Sequence, residues 1–117
     1  MSRTPLQLGE LGLERVVAHG GTGEILFNRV LEGSQFRGPW NFIDYAVLPP
    51  GTSIGRHTHG RNEEVYLVLE GDGLMFRDGE EFRVRSGSVI YNRPGGTHGL
   101  VNDGEGPLRL FVVEVSL

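Results

Sequence analysis

The chain has 117 residues, a formal net charge of −4 and no cysteine. This length predicts a single domain that folds around its own core, and the absence of cysteine excludes disulfides and thiolate metal sites. The acidic balance argues against a nucleic-acid partner, which would favour a clustered basic face. All eleven basic residues are arginine, so Schiff-base chemistry on a lysine is also excluded.

Residues 1–23 form a leader with leucines at positions 6, 8, 11 and 13. We expect this leader to form an edge strand, to pack under the main domain or to be exchanged in a dimer, and residues 24–117 to form that domain. No segment has the apolar stretch of a signal peptide or the length of a membrane span, so we expect a cytoplasmic protein with no membrane partner.

Short β-rich segments follow one another along the rest of the chain, separated by turns that use many of the nineteen glycines and six prolines. This punctuation is typical of an all-β sandwich or barrel. The Asp78-Gly79 pair predicts a tight hairpin turn between two of the strands. In chain order, we predict strands at residues 24–31, 41–48, 57–59, 64–69, 74–77, 82–85, 89–91, 100–102 and 108–115.

Three of the four histidines lie in two short clusters that also include a glutamate. His57 and His59 would share one face of a strand, because side chains at i and i+2 point the same way. A hairpin at residues 60–63 would return Glu64 beside them, and His98 would come from a third strand. Imidazole and carboxylate groups suit divalent iron, manganese, nickel, copper, cobalt or zinc, and this ligand set does not choose between them.

Other residues near these clusters have two readings each. Tyr66 should share the interior face with Glu64, either to take part in chemistry or as a core aromatic residue. Arg93 would either anchor a carboxylate of a substrate or lie solvated at the rim, and base rates favour the rim. Glu63 should face away, although a β-bulge would exchange its role with that of Glu64. His19, in a glycine-rich loop, is interpreted as a solvated residue.

The histidine clusters resemble the two conserved motifs of the cupin family. The first motif is matched without a gap by Gly51, His57, Thr58, His59, Glu64 and Gly71. The fixed positions of the second motif are matched by Gly87, Gly95, His98 and Asn102. Arg93 stands where that motif has proline, and Pro94 follows one residue later. The resemblance extends over about residues 45–115.

Resemblance to cupins implies a single-domain antiparallel β-barrel of the double-stranded β-helix or jelly-roll type. It implies one divalent transition metal ion bound inside by His57, His59, Glu64 and His98, and a homodimer as the assembly. The Arg93 departure leaves these ligands intact but would change the barrel mouth.

Four protein ligands on an octahedral ion leave two positions open, whereas a structural site is closed. We therefore expect a metal-dependent enzyme that acts on a small oxygenated organic molecule. A dioxygenase-type oxidoreductase is slightly favoured. The alternatives are a non-redox isomerase, lyase, dehydratase or cyclase, and a non-enzymatic module that binds a sugar or an organic acid.

Overall fold

The computed structural model describes residues 4–117, and within them the regular structure is almost entirely β. Two single-turn 3-10 helices lie at Leu8–Glu10 and Gly33–Gln35. No helix in this part of the chain is long and apolar enough to cross a membrane. The strands are β1 (Glu14–Val16), β2 (Ile25–Glu32), β3 (Trp40–Leu48), β4 (Ser53–Thr58), β5 (Asn62–Glu70), β6 (Asp72–Arg77), β7 (Glu80–Arg85), β8 (Val89–Asn92), β9 (Thr97–Val101) and β10 (Leu108–Ser116).

The strands form two antiparallel sheets. One sheet has six strands in the order β1-β2-β3-β10-β5-β8, and the other has four in the order β4-β9-β6-β7. Among the described strands no hydrogen-bonded ladder joins the two sheets, so the expected closed barrel is replaced by two separate sheets. This arrangement remains consistent with a jelly roll.

The core lies between the two sheets and follows from alternation along each strand. In β10, Leu108, Leu110 and Val112 point inward and are buried, as period-two patterning requires. The four-stranded sheet contributes Met75 and Leu100, both fully buried, to the same cluster. Each sheet therefore has one apolar face, and these two faces cover each other.

The predicted hairpin at residues 60–63 is wrong. β4 pairs with β9 in the smaller sheet, whereas β5 pairs with β10 and β8 in the larger one. Residues 59–61 therefore cross from one sheet to the other. A short polar segment between two strands is compatible with either connection, and burial of both apolar faces decides between them. As a consequence, the histidines and Glu64 come from opposite sheets.

The segment expected to be a leader contributes to this architecture, although its residues 1–3 lie outside the described part of the chain. β1 pairs with β2 at the edge of the larger sheet. Val16 and Ala18 pack against the core, whereas Leu6 and Leu13 are exposed. β1 is therefore the outer strand of the larger sheet, and Leu6 and Leu13 do not anchor it.

Gly55 holds the N-terminal segment tightly against β4. Its N–H donates to the Ala18 carbonyl at 3.0 Å. A Cβ atom at this position would overlap the carbonyl oxygen of His19 and approach the Gly21 nitrogen to 2.9 Å. We expect Gly55→Ala to destabilise the protein by about 1–3 kcal/mol, as overpacking does, in chemical denaturation. Gly12→Ala is the matched control because nothing lies within 4 Å of its added Cβ; equal stability of the two variants would contradict this close contact.

Candidate metal centre

Four side chains converge between the sheets. His57 lies near the end of β4, His59 follows that strand, Glu64 lies on β5 and His98 lies on β9. One ligand atom from each can be chosen so that all four lie within 4.8 Å of one another. His57 is directly opposite His98 in the β4–β9 ladder. Glu64 lies on the larger sheet and His98 on the smaller one, so both sheets border the cluster. These two side chains are buried and therefore lie away from water.

Hydrogen bonds outside the cluster orient two of the imidazoles. The Nδ1 atom of His57 lies 2.8 Å from the Gly55 carbonyl oxygen, which can only accept. The Nδ1 atom of His59 lies 2.6 Å from Asn62 Oδ1 and 3.2 Å from Glu114 Oε1. Both rings therefore carry their proton on Nδ1, which leaves the Nε2 lone pairs free to bind a metal ion.

Those two lone pairs face each other at short range. The Nε2 atoms of His57 and His59 are 3.1 Å apart, and with both protons on Nδ1 no hydrogen atom lies between them. Glu64 Oε1 lies 3.0 Å from His98 Nε2 and 3.4 Å from His59 Nε2. A cation bound among these atoms would replace the repulsion by coordination. The donor set therefore fits a divalent transition metal ion.

Burial sets the protonation states that such an ion would meet. It lowers the pKa of His57 to about 4, and that of His98 to about 4. Both rings are therefore neutral ligands near neutral pH. Burial raises the pKa of Glu64 to about 7, against an opposing effect of His59. The carboxyl group therefore retains a proton in weak acid, where an unperturbed glutamic acid would be ionised.

We expect metal affinity to fall as the pH decreases below about 7. A metal ion needs the ionised form of Glu64, and the raised pKa makes a proton its competitor below that value. The affinity should fall by up to about tenfold per pH unit for one competing proton. Titration calorimetry in two buffers of different ionisation enthalpy would detect the released proton. A flat affinity and no proton release between about pH 6 and about pH 7.5 would contradict this assignment.

Tyr66 lies beside the ligands, on the interior face that it shares with Glu64. Its side chain is buried, its hydroxyl is hydrogen-bonded to Glu64, and its ring meets the His98 ring edge-on at 5.3 Å. Burial raises the pKa of Tyr66 well above its usual value. The hydroxyl therefore keeps its proton and donates to Glu64.

Arg93 and Glu63 point elsewhere. Arg93 donates from Nε to Asp78 Oδ2 at 2.9 Å, and its side chain is 60% exposed. Glu63 accepts a hydrogen bond from the Tyr91 hydroxyl at 2.9 Å. The structure thus brings the carboxylate of Glu64, and not that of Glu63, to the histidines. It places Arg93 in a solvent-exposed ion pair.

The ligand cluster borders a cavity of about 370 Å³, within the size range of small-molecule sites. Its walls are mainly apolar. The lining residues are Val16, Val17, Ala18, His19, Ile25, Phe27, Arg29, Phe42, Asp44, Ala46, Ile54, His57, His59, Glu64, Tyr66, Val112 and Glu114. Within the part of the chain that the structure describes, Arg93 does not line this cavity.

Several polar residues of this cavity were not predicted from the sequence to lie beside the histidine clusters. His19, interpreted as a solvated loop residue, is exposed in a turn, and its ring also stacks on His57 with ring centroids 3.6 Å apart and an interplanar angle of 9°. The backbone φ of His19 is 51°, in the left-handed region. In this conformation the residue is one of those that line the cavity. Glu114 contacts His59, and Arg29 is paired with Asp44. Glu114 lies on β10, Arg29 on β2 and Asp44 on β3, so all three are outside the histidine clusters in the sequence.

Comparison with known proteins identifies the family to which this chain belongs. A family model described as "Cupin domain" matches residues 44–114. The chain belongs to the cupin family.

The relatives of this chain differ in the functions that their names describe. The chain is 29% identical over 98 residues to the oxalate-binding protein of Thermotoga maritima, covering 84% of this chain and 81% of that one. It is 31% identical over 97 residues to the dimethylsulfoniopropionate lyase DddW of Ruegeria pomeroyi, covering 80% of this chain and 63% of that one. A crystal structure of a predicted oxalate decarboxylase from Thermotoga maritima superimposes with a TM-score of 0.93 at 27% identity, covering 97% of this chain and 100% of that one.

Proposed function

We propose that this cupin is a metal-dependent enzyme that acts on a small oxygenated organic molecule. The proposal is supported above all by the position of the four-residue cluster: His57, His59 and Glu64 form part of the cavity wall, and His98 lies directly behind them against Glu64. A purely structural site would be closed by its own ligands and would need no adjoining space. Here the three histidines and Glu64 would hold the ion, and the cavity would hold the substrate.

The chain's own residues would organise the reaction. Gly55 and Asn62 fix the tautomers of His57 and His59 through Nδ1, and the Tyr66 hydroxyl orients the Glu64 carboxylate. A bound divalent transition metal would supply Lewis acidity or redox chemistry to an oxygenated group. The apolar walls would exclude water from that group.

The geometry gives most support to a non-redox reaction of the lyase, dehydratase, isomerase or cyclase type. Dioxygenase and non-redox chemistry both need open coordination positions, so these positions do not separate the two. Tyr66 is the separating feature, because it is a protonated hydroxyl at the cavity wall beside the ligands. On binding, the hydroxyl would turn from Glu64 and donate a hydrogen bond to an oxygen of the bound molecule while keeping its proton. The lyase from Ruegeria pomeroyi is a relative of this non-redox kind.

A binding module is the second candidate, favoured by the relative named oxalate-binding protein. An enzyme converts the molecule that it binds, whereas a binding module does not. We expect metal-loaded protein to convert at least one member of a panel of hydroxyketones, diketones and hydroxy acids, as followed by NMR, without consuming dioxygen. Tyr66→Phe should lower that rate by about 10²–10³-fold when the two proteins are compared at equal metal loading. Tight binding without conversion would favour the module, and stoichiometric oxygen uptake would favour the dioxygenase.

We also propose that the chain forms a homodimer through its N-terminal segment. β1 lies at the edge of the larger sheet, and the segment around it carries the exposed apolar residues Leu6, Leu13 and Val17. A second copy would cover both the free strand edge and these side chains. Sedimentation equilibrium should give twice the monomer mass, and Val17→Glu should give a monomer. A wild-type monomer at all concentrations would contradict this assembly.

A further inference from the structure

The cavity contains an ion pair that the metal cluster does not use. Arg29 donates from Nε to Asp44 Oδ1 at 3.0 Å and from Nη2 to Asp44 Oδ2 at 3.2 Å. The guanidinium also lies over the Phe42 ring, 4.3 Å from its centroid. Burial raises the pKa of Asp44, and the two hydrogen bonds from Arg29 oppose that rise. This two-point pair occupies the Nε–Nη2 edge of the guanidinium, an edge that would otherwise be available to a ligand carboxylate.

The charged groups of the cavity are predominantly negative. Three carboxylates line it, from Asp44, Glu64 and Glu114, against the single guanidinium of Arg29. A divalent ion held by the histidines and Glu64 would bring the total formal charge of these groups to zero. A dianionic ligand would then add uncompensated negative charge close to Asp44 and Glu114, which is unfavourable in a poorly solvated space.

Apart from its charged groups, the three histidines that line it and Tyr66, the cavity surface is apolar. Nine of its lining residues are aliphatic or phenylalanine side chains, contributed by the N-terminal segment and by β2, β3, β4 and β10: Val16, Val17, Ala18, Ile25, Phe27, Phe42, Ala46, Ile54 and Val112. These walls suit a hydrocarbon or aromatic body. They offer no hydrogen-bond partners to a second carboxylate.

We propose that the cavity selects an uncharged, largely apolar molecule with an oxygenated end directed at the metal, and that Asp44 enforces this selection by masking Arg29. The inference rests on the proposed metal-dependent function and names its substrate class. Small dicarboxylates are excluded by the same arrangement. Asp44 is in this view a specificity-determining residue that acts through Arg29.

The first test compares two chelating probes on metal-loaded wild-type protein. Maltol is a hydroxypyranone with a flat apolar ring; it is neutral in solution and chelates as a monoanion, releasing its hydroxyl proton to the buffer. Oxalate is a small dianion that chelates through two oxygens. We expect maltol to bind at least about tenfold more tightly than oxalate, as measured by calorimetry. Metal content is measured separately by elemental analysis, so absence of metal overturns the proposed function together with this inference. Tighter binding of oxalate to protein that does contain metal overturns this inference alone.

The second test removes the Asp44 carboxylate that pairs with Arg29. Asp44→Asn keeps the side-chain shape, removes one negative charge and leaves Arg29 a single neutral acceptor in place of two charged ones. We expect the affinity for oxalate to rise by at least about tenfold and the affinity for maltol to remain within about threefold. The control Glu70→Gln makes the same charge change in the exposed pair with Arg109, outside the cavity.

A double variant links the gain to the guanidinium. Asp44→Asn combined with Arg29→Gln should return the oxalate affinity towards the wild-type value. An equal gain in Glu70→Gln, or a gain that survives loss of Arg29, would contradict the masking role. The comparison of probes on wild-type protein remains decisive if Asp44→Asn does not fold.

Discussion

Replacing His98 by alanine is expected to abolish tight binding of a divalent transition metal. The imidazole is 1% exposed, lies directly opposite His57 and has its Nε2 atom 3.0 Å from Glu64 Oε1. Its removal takes away one of the four ligands and leaves no replacement donor at that depth. The affinity should fall by more than about a hundredfold, beyond the loss that follows removal of an outer partner of a metal ligand. Competition with a chromophoric chelator measures this loss directly.

His19→Ala is the matched control, because this ring stacks on His57 yet supplies no atom to the four-ligand cluster. Its metal affinity should remain within about tenfold of the wild-type value, as for an outer-shell residue. Circular dichroism and thermal melting would show that both variants are folded. Wild-type affinity in folded His98→Ala would remove this residue from the site.

Leu110→Ala is expected to lower the free energy of unfolding by about 2–5 kcal/mol. Leu110 is 0% exposed and lies on β10, which pairs with β3 on one side and β5 on the other. The truncated side chain would leave a void that both sheets border, and a central strand has little freedom to close it. Urea denaturation should show a lower midpoint with an unchanged slope.

The control is Leu6→Ala, since Leu6 is 53% exposed and its truncation creates no internal void. It should change the free energy of unfolding by less than about 0.5 kcal/mol. Leu110 does not line the cavity, so Leu110→Ala should keep its metal affinity. A stability loss below about 1 kcal/mol would mean that β10 does not form the centre of the core.

The strands and the ligand cluster could be predicted because both follow from local patterns. Alternation in the segment that became β10 marks the same residues that are buried. His57, His59 and His98 are rare residue types set among glycine turns, and their spacing matches a family motif. The side-chain period also placed Glu64 inward and Glu63 outward. Cupin membership is confirmed by the family match.

Strand pairing could not be read in the same way. The segment at residues 60–63 has turn character, and a turn of that length can close a hairpin or pass between two sheets. The choice depends on which neighbours β4 and β5 find, namely β9 for one and β10 with β8 for the other. Those partners are distant in sequence, so no local pattern reports them. The barrel was implied by the cupin resemblance, whereas the punctuation of the chain is typical of a sandwich as well as a barrel.

The missed cavity residues did leave a signal. Arg29, Asp44 and Glu114 each continue an inward-facing apolar series at two-residue intervals, as in Leu110, Val112 and then Glu114. A charged residue in such a series is expected to have a buried partner or a ligand. The sequence does not reveal that the three polar positions come together, because β2, β3 and β10 become neighbours only in the folded sheet.

The exposed loop position of His19 was predicted, but its stacking on His57 was not. A histidine between an alanine and two glycines gives no periodic signal, and solvated loops are the usual context. Its position depends on a left-handed backbone conformation and on close contact of this loop with Gly55. Both are properties of the packed structure.

We propose that one transition metal ion is held by four side chains together: His57, His59, Glu64 and His98. Crystals of protein purified without added metal and then loaded with one ion per chain would test it by anomalous diffraction at the absorption edge of that metal. We expect one strong peak among the four side chains, about 2.0–2.2 Å from three Nε2 atoms and a Glu64 oxygen. A fully loaded crystal with its only peak elsewhere on the protein would contradict the claim.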